Sequence, residues 1–302
     1  YYLLLKTKTT FTNMGQHGTQ SNINSEIVSK TKFLNPPKHE QQKIAAILSN
    51  VDELISSYDK TIESTKKLKK ELMQTLLTKG IGHKKFKKVP WLFGKEIGIP
   101  EEWELEKLGE NSTLKGRIGW QGLTTKEYRE KGEFYLVTGT DFKKGKIDWE
   151  NCVFVDKDRF DQDLNIQLKN DDVLITKDGT IGKIAVVDKH LFPATLNTGV
   201  FVVRPIEKKY LPLILYYILN SNYFLKFLNR FKGGSTINHL YQKDFVKFSF
   251  PIPSLSEQQK IASILSSVDD EIIKLELKKK SAESLKKGLM QKLLTGQIRV
   301  NV

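Results

Sequence analysis

The sequence predicts an α+β protein: a mostly-strand domain, with helices, joined to two long helices that pair with each other. Two observations carry this. A segment with helical periodicity occurs twice, and the stretch between the two copies breaks into short β-prone runs separated by loop residues. Glu40-Gln41-Gln42-Lys43-Ile44-Ala45 returns as Glu257-Gln258-Gln259-Lys260-Ile261-Ala262, an offset of 257 − 40 = 217. The repeat runs without a gap from Glu40–Thr78 to Glu257–Thr295, with about 22 of 39 positions identical.

Residues 1–35 come first. Tyr1-Tyr2-Leu3-Leu4 resembles Tyr216-Tyr217-Ile218-Leu219, and Gly18-Thr19 and Asn22 match Gly234-Ser235 and Asn238. The stretch therefore reads as the tail of a first domain, a reading in keeping with a chain that opens on Tyr1 and has its first Met at position 14. Residues 36–80 form the first long helix. Ile44, Leu48, Val51, Ile55, Tyr58 and Ile62 step by four and three, a heptad seam. Pro36-Pro37 can open a helix and Gly80 can close one. Residues 254–302 repeat the design, with Ile261, Leu265, Val268, Ile272 and Leu275 on the seam and Gly296 at the end. Each helix should be about 58 Å long.

The domain between them spans 81–253. Gly98-Ile99-Pro100-Glu101-Glu102-Trp103 reads as a turn with an aromatic anchor. Strands are expected at Phe134–Val137, Val153–Val155, Val173–Thr176, Ile184–Val187 and Val200–Val203. Tyr210 to Phe227 reads as one helix opened near Pro212.

Composition narrows the functional classes. The 302 residues carry 49 Lys+Arg against 35 Asp+Glu, a net charge of +14, so a polyanion is the first partner to consider. Hydrophobic residues at 39% are enough for a folded core. The single cysteine, Cys152, excludes a disulfide framework and a cysteine-based zinc site, and points to a reducing, cytoplasmic setting. No run approaches the roughly 18 apolar residues of a membrane span.

Motifs for catalysis are weak. Asn35-Pro36-Pro37-Lys38 lacks the aromatic of the amino-methyltransferase turn, and no glycine-rich cofactor loop accompanies it. Asp178-Gly179-Thr180-Ile181-Gly182-Lys183 has two residues between its glycines where a phosphate loop has four. The five histidines lack metal-pair spacing. Glu101-Glu102 and Asp171-Asp172 would point to opposite faces of a strand. No cofactor and no metal are expected.

What remains suits DNA. Lys and Arg grip phosphates or guanine edges, and Gln and Asn read adenine. The candidates are Arg117, Trp120 and Gln121; Lys126; Lys143 and Lys144; Lys177, Gly179, Thr180 and Lys183; and Lys232, Ser235, Thr236 and Asn238. Gln41, Ile44, Leu48, Val51 and Ile55, with Gln258, Ile261, Leu265, Val268 and Ile272, are the candidates for helix pairing and subunit contact.

The duplicated proline-marked Glu-Gln-Gln-Lys-Ile-Ala helices, Ile99-Pro100-Glu101-Glu102-Trp103, the Gly179–Gly182 turn and the Gly233-Gly234-Ser235-Thr236 loop together resemble the DNA specificity subunit of type I restriction–modification systems. That resemblance implies a non-catalytic subunit whose two helices pair antiparallel as a ruler between two target recognition domains, each reading half of a bipartite site in double-stranded DNA. It implies docking of two modification (methyltransferase) subunits, plus restriction subunits. On this reading 1–35 is the remnant of the first recognition domain. A self-contained DNA adenine methyltransferase and a structural coiled-coil protein without DNA binding are the competing classes; cofactor binding and DNA binding at low salt separate them.

Overall fold

The computed structural model describes residues 1–6, 33–188, 190–206, 209–230 and 239–300, with Phe93 and Trp120 described by their backbone alone. After a short helix over 2–6, α1 spans Lys38–Lys79. Strands β1 (Phe86–Pro90), β2 (Glu96–Pro100), β3 (Glu104–Lys107) and β4 (Ser112–Gly116) follow. Then come β5 (Phe134–Val137), β6 (Phe142–Lys143), β7 (Lys146–Ile147), β8 (Val153–Val155), β9 (Val173–Thr176), β10 (Ile184–Val186), β11 (Ala194–Leu196) and β12 (Val200–Pro205). Helices α2 (Pro212–Leu219) and α3 (Asn222–Arg230) precede β13 (Ser249–Ile252), and α4 (Leu255–Leu293) comes last. The chain forms two compact units, residues 1–69 with 268–302, and residues 70–267. Both long helices contribute to each.

In the first unit the helices run antiparallel. Asp52 pairs with Lys286, Asp59 with Lys279, Lys66 with Glu276 and Lys69 with Asp269, so one number falls as the other rises. The sequence repeat becomes a two-fold relation here. Asp52–Lys286 maps onto Asp269–Lys69 at the offset of 217, and both pairs measure 2.5 Å. Each such pair is partly solvated and contributes under about 1 kcal/mol, so the ladder sets register more than stability. The apolar seam supplies the adhesion: Ile44 and Leu48 pack with Leu293, and Tyr2, Leu289 and Met290 border them. Gly80 (φ +66°) and Gly296 (φ +70°) follow the two helices in the left-handed conformation that ends them.

The second unit is built on a four-stranded antiparallel sheet in the order β10-β9-β12-β4. Its strands are apolar on both faces, and the two faces serve different cores. Val173, Ile175, Phe201 and Val203 point to a core shared with α2, α3, β13 and the ends of the long helices. Leu174, Val200 and Val202 point to a second core shared with the three-stranded sheet β11-β5-β8. This is why those runs are continuously hydrophobic rather than alternating. β13 pairs with β3, and β1 with β2.

The expected strands all form, with β10 ending at Val186 and β12 running on to Pro205. The single helix expected from Tyr210 to Phe227 is two. Asn220 leaves the helical region (φ −92°, ψ 2°) and closes α2, and the Ser221 hydroxyl accepts the Tyr223 N–H to open α3. Polar Asn220-Ser221 offers the backbone these alternative bonds. The break lets both apolar faces reach one core.

Candidate nucleic-acid interface

Because the four-stranded sheet is antiparallel, loops that are distant in sequence meet at one end of it. β4 ends there at Gly116, β9 ends at Thr176, and β10 and β12 begin there. Three loops therefore converge: 117–122, 177–183 and 197–199. Their contacts are direct. The Lys177 N–H donates to Gly199 O at 2.9 Å. Gly122 and Gly199 lie against Thr198 and Asp178, respectively. Leu240 N–H donates to Lys177 O, and His239 Nδ1 bonds the Asp178 carboxylate, which brings a fourth segment to the same end.

Thr176 organises the 177–183 turn from beneath. Its buried hydroxyl donates to Thr180 O and accepts the Lys183 N–H. Gly179 (φ +65°) and Gly182 (φ +85°) take the left-handed conformations the turn requires. Gly182 is also crowded, since a Cβ there would come within 2.9 Å of Leu228. The N–H groups of Ile181, Gly182 and Lys183 are spent inside the turn. What the turn offers outward is the exposed Gly179-Thr180 tip and the Lys183 side chain. Lys177 is half-buried over the Phe201 ring, 4.8 Å from its centroid. Desolvation holds its ammonium below the usual lysine pKa, with Asp178 opposing. Lys115 is exposed on the edge strand beside this end.

Two expected DNA contacts are displaced to the interior. Arg117 is 1% exposed. Its guanidinium donates to Leu196 O, Gln162 Oε1, Arg159 O and Thr195 Oγ1, at 2.8–3.2 Å. Burial holds its pKa below that of an ordinary arginine. It is a cross-brace between β4, β11 and the segment 159–162. An arginine with four internal acceptors is not a phosphate grip. Gln121 is 6% exposed, and its Oε1 meets no partner among the described residues. Trp120 follows Gly119 in a 3₁₀ turn, where its backbone alone is described.

The remaining candidates are distributed. Lys126 is exposed on a short 3₁₀ turn capped by Thr124, and Glu127 at its end accepts from the Thr124 N–H and from Arg159. The Thr124 backbone N–H and the Arg159 guanidinium hold the Glu127 carboxyl at about 2. Lys143 and Lys144 occupy the β6–β7 hairpin, which sits beside the far end of β10 through the Val186 N–H to Gly145 O bond. Lys143 is engaged by Asp148 of its own hairpin. Lys232, Ser235, Thr236 and Asn238 lie outside the described residues. Asn197, Thr198 and His239 were not legible as members of the site. Their signal is tertiary, since sequence spacing gives no hint that they border Lys177.

The helix-pairing candidates divide between the two units. Ile44, Leu48 and Val51 are buried, and Ile55 half-buried, along α1; Ile272 is buried and Val268 half-buried along α4. Ile261 and Leu265 instead belong to the core of the second unit, together with Leu76 and Leu77. Gln258 is 0% exposed, its carboxamide bonded to Leu211 N, Lys209 O and Pro253 O. Its repeat mate Gln41 is exposed and bonds Pro36 O and Asn35. Pro36 and Pro253 are themselves repeat mates, so this proline-to-glutamine staple is built twice.

Comparison with known proteins agrees with this architecture. The type I restriction modification DNA specificity domain family matches residues 1–74 and 100–283. The chain is 34% identical to the type I restriction enzyme MjaVIII specificity subunit of Methanocaldococcus jannaschii, over 98% of this chain and 69% of that protein. Identity is 32% to the MjaX specificity subunit of the same organism, over 99% of this chain and 68% of that one. The S subunit of the type I restriction–modification system from M. genitalium shares the fold, with a TM-score of 0.61 and 20% identity, over 97% of this chain and 71% of the other. With a duplicated long helix, an α+β domain between its two copies and these relatives, the chain belongs to the DNA specificity family of type I restriction–modification systems.

Proposed function

We propose that the domain at 81–253 is a target recognition domain that reads one half-site in duplex DNA, and that the two long helices serve as spacer and docking platform for modification and restriction subunits. Two modification subunits suit a platform with two-fold repeated faces. The observation that carries the DNA reading is the convergence of the 177–183 turn, the 197–199 loop and the His239 segment at one sheet end, with Lys183 exposed there. Lysines at a loop cluster supply salt-dependent phosphate contacts, and polar tips such as Thr180 then meet base edges. The chemistry of methylation and cleavage belongs to the other subunits on this reading.

The test is selection from random duplexes by the chain assembled with its modification subunit. One short motif should be enriched, and log Kd should rise steeply with log salt. Replacing Lys177 and Lys183 by Ala should lower that slope by about 1.8, at roughly 0.9 per phosphate contact. Equal binding to scrambled duplexes at every salt concentration rejects the half-site reading. A slope unchanged by both substitutions rejects this sheet end as the interface.

A further inference from the structure

The charge of the second unit is not spread evenly. Lys107, Lys143, Lys157 and Lys247 each lie against a carboxylate close by in sequence. The β1–β2 hairpin is different. Residues 84–100 hold five lysines against the single Glu96, 5 − 1 = +4 of the chain's +14. Lys84, Lys85, Lys87, Lys88 and Lys95 are all exposed, and among the described residues none has an ion-pair partner. Like charges this close repel one another, and nothing described in the fold offsets it. Gly98 adds a second observation. It stands opposite Lys88 in the hairpin. Its φ lies outside the left-handed region, and a Cβ there would meet no described atom within 4 Å. Neither a turn nor packing therefore calls for glycine. Glycine inside a strand otherwise marks a place where another backbone comes close.

The hairpin is joined to the loop-bearing sheet end by α3. Trp91 packs on Tyr223 near the start of that helix, with ring centroids 5.7 Å apart, and Leu228 near its end lies against the Gly182 turn. At 1.5 Å per residue α3 is about 13 Å long, the length of about four base pairs of duplex at 3.4 Å each. Its exposed face is Asn222, Leu225, Lys226 and Asn229, and residues 209–230 hold no Asp or Glu. Lys183, Lys226 and Lys95 thus mark successive points along one acid-free helix.

We propose that α3 and the β1–β2 hairpin form a track for the phosphate backbone of duplex DNA beside the half-site, gripping it without regard to sequence. The proposal rests on the half-site reading for its location, and on charge alone for its chemistry. Lysines on long stems bring point charges to phosphates, and the bare Gly98 lets a sugar–phosphate chain reach the ribbon beside Lys88. Edge lysines also keep strands from pairing with other chains. That role predicts aggregation, not weakened DNA binding, when they are removed.

The test is binding of the chain, assembled with its modification subunit, to two duplexes of equal length, one carrying the selected motif and one scrambled. Lys85→Gln, Lys87→Gln and Lys88→Gln together should weaken both duplexes by the same factor, with circular dichroism unchanged. At roughly 0.9 per contact, two lost contacts lower the salt slope by about 1.8. The motif-to-scrambled ratio should stay as it was, and ethylating the phosphates beside the motif should cease to interfere. Gly98→Glu puts a carboxylate opposite Lys88, which steadies the ribbon. It should leave the melting temperature unchanged or higher, yet weaken both duplexes in the same way. An unchanged slope in the lysine variant overturns the track, and so does a loss confined to the motif duplex. Aggregation with the slope intact assigns the lysines to edge protection. Loss of the modification subunit, with the slope of the chain alone intact, assigns them to a protein partner. Either result overturns the track. If the unmodified chain enriches no motif, the half-site reading fails instead, and the scrambled duplex still tests the track.

Discussion

The two helix starts share their sequence but not their surroundings. Glu257-Gln258 is built into the second unit: the carboxylate receives an indole, and the buried carboxamide bonds three backbone groups. Among the described residues, Glu40-Gln41 holds the tail beyond α4 and its own proline turn. The difference teaches that this repeated motif is a clasp with a fixed half and a variable half. The fixed half is the glutamate closing on the segment that follows the opposite helix. The variable half is what packs beside that glutamate, which in the second unit is Trp103.

The largest expected contrast is at Trp103. Trp103→Ala should cost about 3–5 kcal/mol in denaturant unfolding, because it empties a packed core and removes a donor from Glu257. Tyr2→Ala, next to the seam of the first unit, should cost well under half of that. Comparable losses would show that the two helix starts are packed alike.

The helix-ending glycines come next. Gly80→Ala and Gly296→Ala both place a Cβ at positive φ, at about 1–2 kcal/mol each. Gly80→Ala adds the collision with Trp103 and should exceed Gly296→Ala by about 1–3 kcal/mol in the same assay. Gln258→Ala should then cost about 1–3 kcal/mol by stranding buried backbone groups, and Gln41→Ala about 0.5 kcal/mol or less.

The smallest effect is electrostatic. Hydrogen bonding to Arg299 is the main cause that holds the Glu40 carboxyl below its usual value of 4.5. A lowered pKa means the stabilisation is complete above 4.5 and lost as pH falls through the folded-state value. The destabilisation caused by Arg299→Ala should therefore be full at pH 7 and fade as the solution is acidified from about pH 5. A constant difference across that range would show that Arg299 acts through packing alone.

Much of the fold was legible because its signals are local. The heptads, the proline starts, the glycine stops and the self-similarity at 217 residues all lie in contiguous sequence. The β-prone runs at Val173–Thr176 and Val200–Val203 are visible for the same reason. The short strands β1 to β4, β6, β7, β11 and β13 carry no such local signal. Pro90, Pro100 and Pro251 sit inside or at the ends of three of them, and Lys87, Lys88 and Glu104 to Lys107 read as solvated loop. Pairing with distant partners overrides that weak local preference.

The site was legible only by composition. Arg117 reads as a surface cation because nothing nearby in sequence marks its acceptors. Leu196 O and Thr195 Oγ1 are 79 and 78 residues away. Lys183 and Thr180 read the same way and do stay on the surface. One basic residue in a loop is chemically like another until folding decides which one meets acceptors.

By itself, then, the sequence determined the two paired helices, the α+β character of the stretch between them and the family, since periodicity and repetition are properties of the chain. Only the tertiary structure decided which loops share a sheet end, which arginine is a brace, and that Trp103 closes on Glu257. Those depend on contacts between residues far apart in the chain, where burial and hydrogen-bond satisfaction, not spacing, select the outcome.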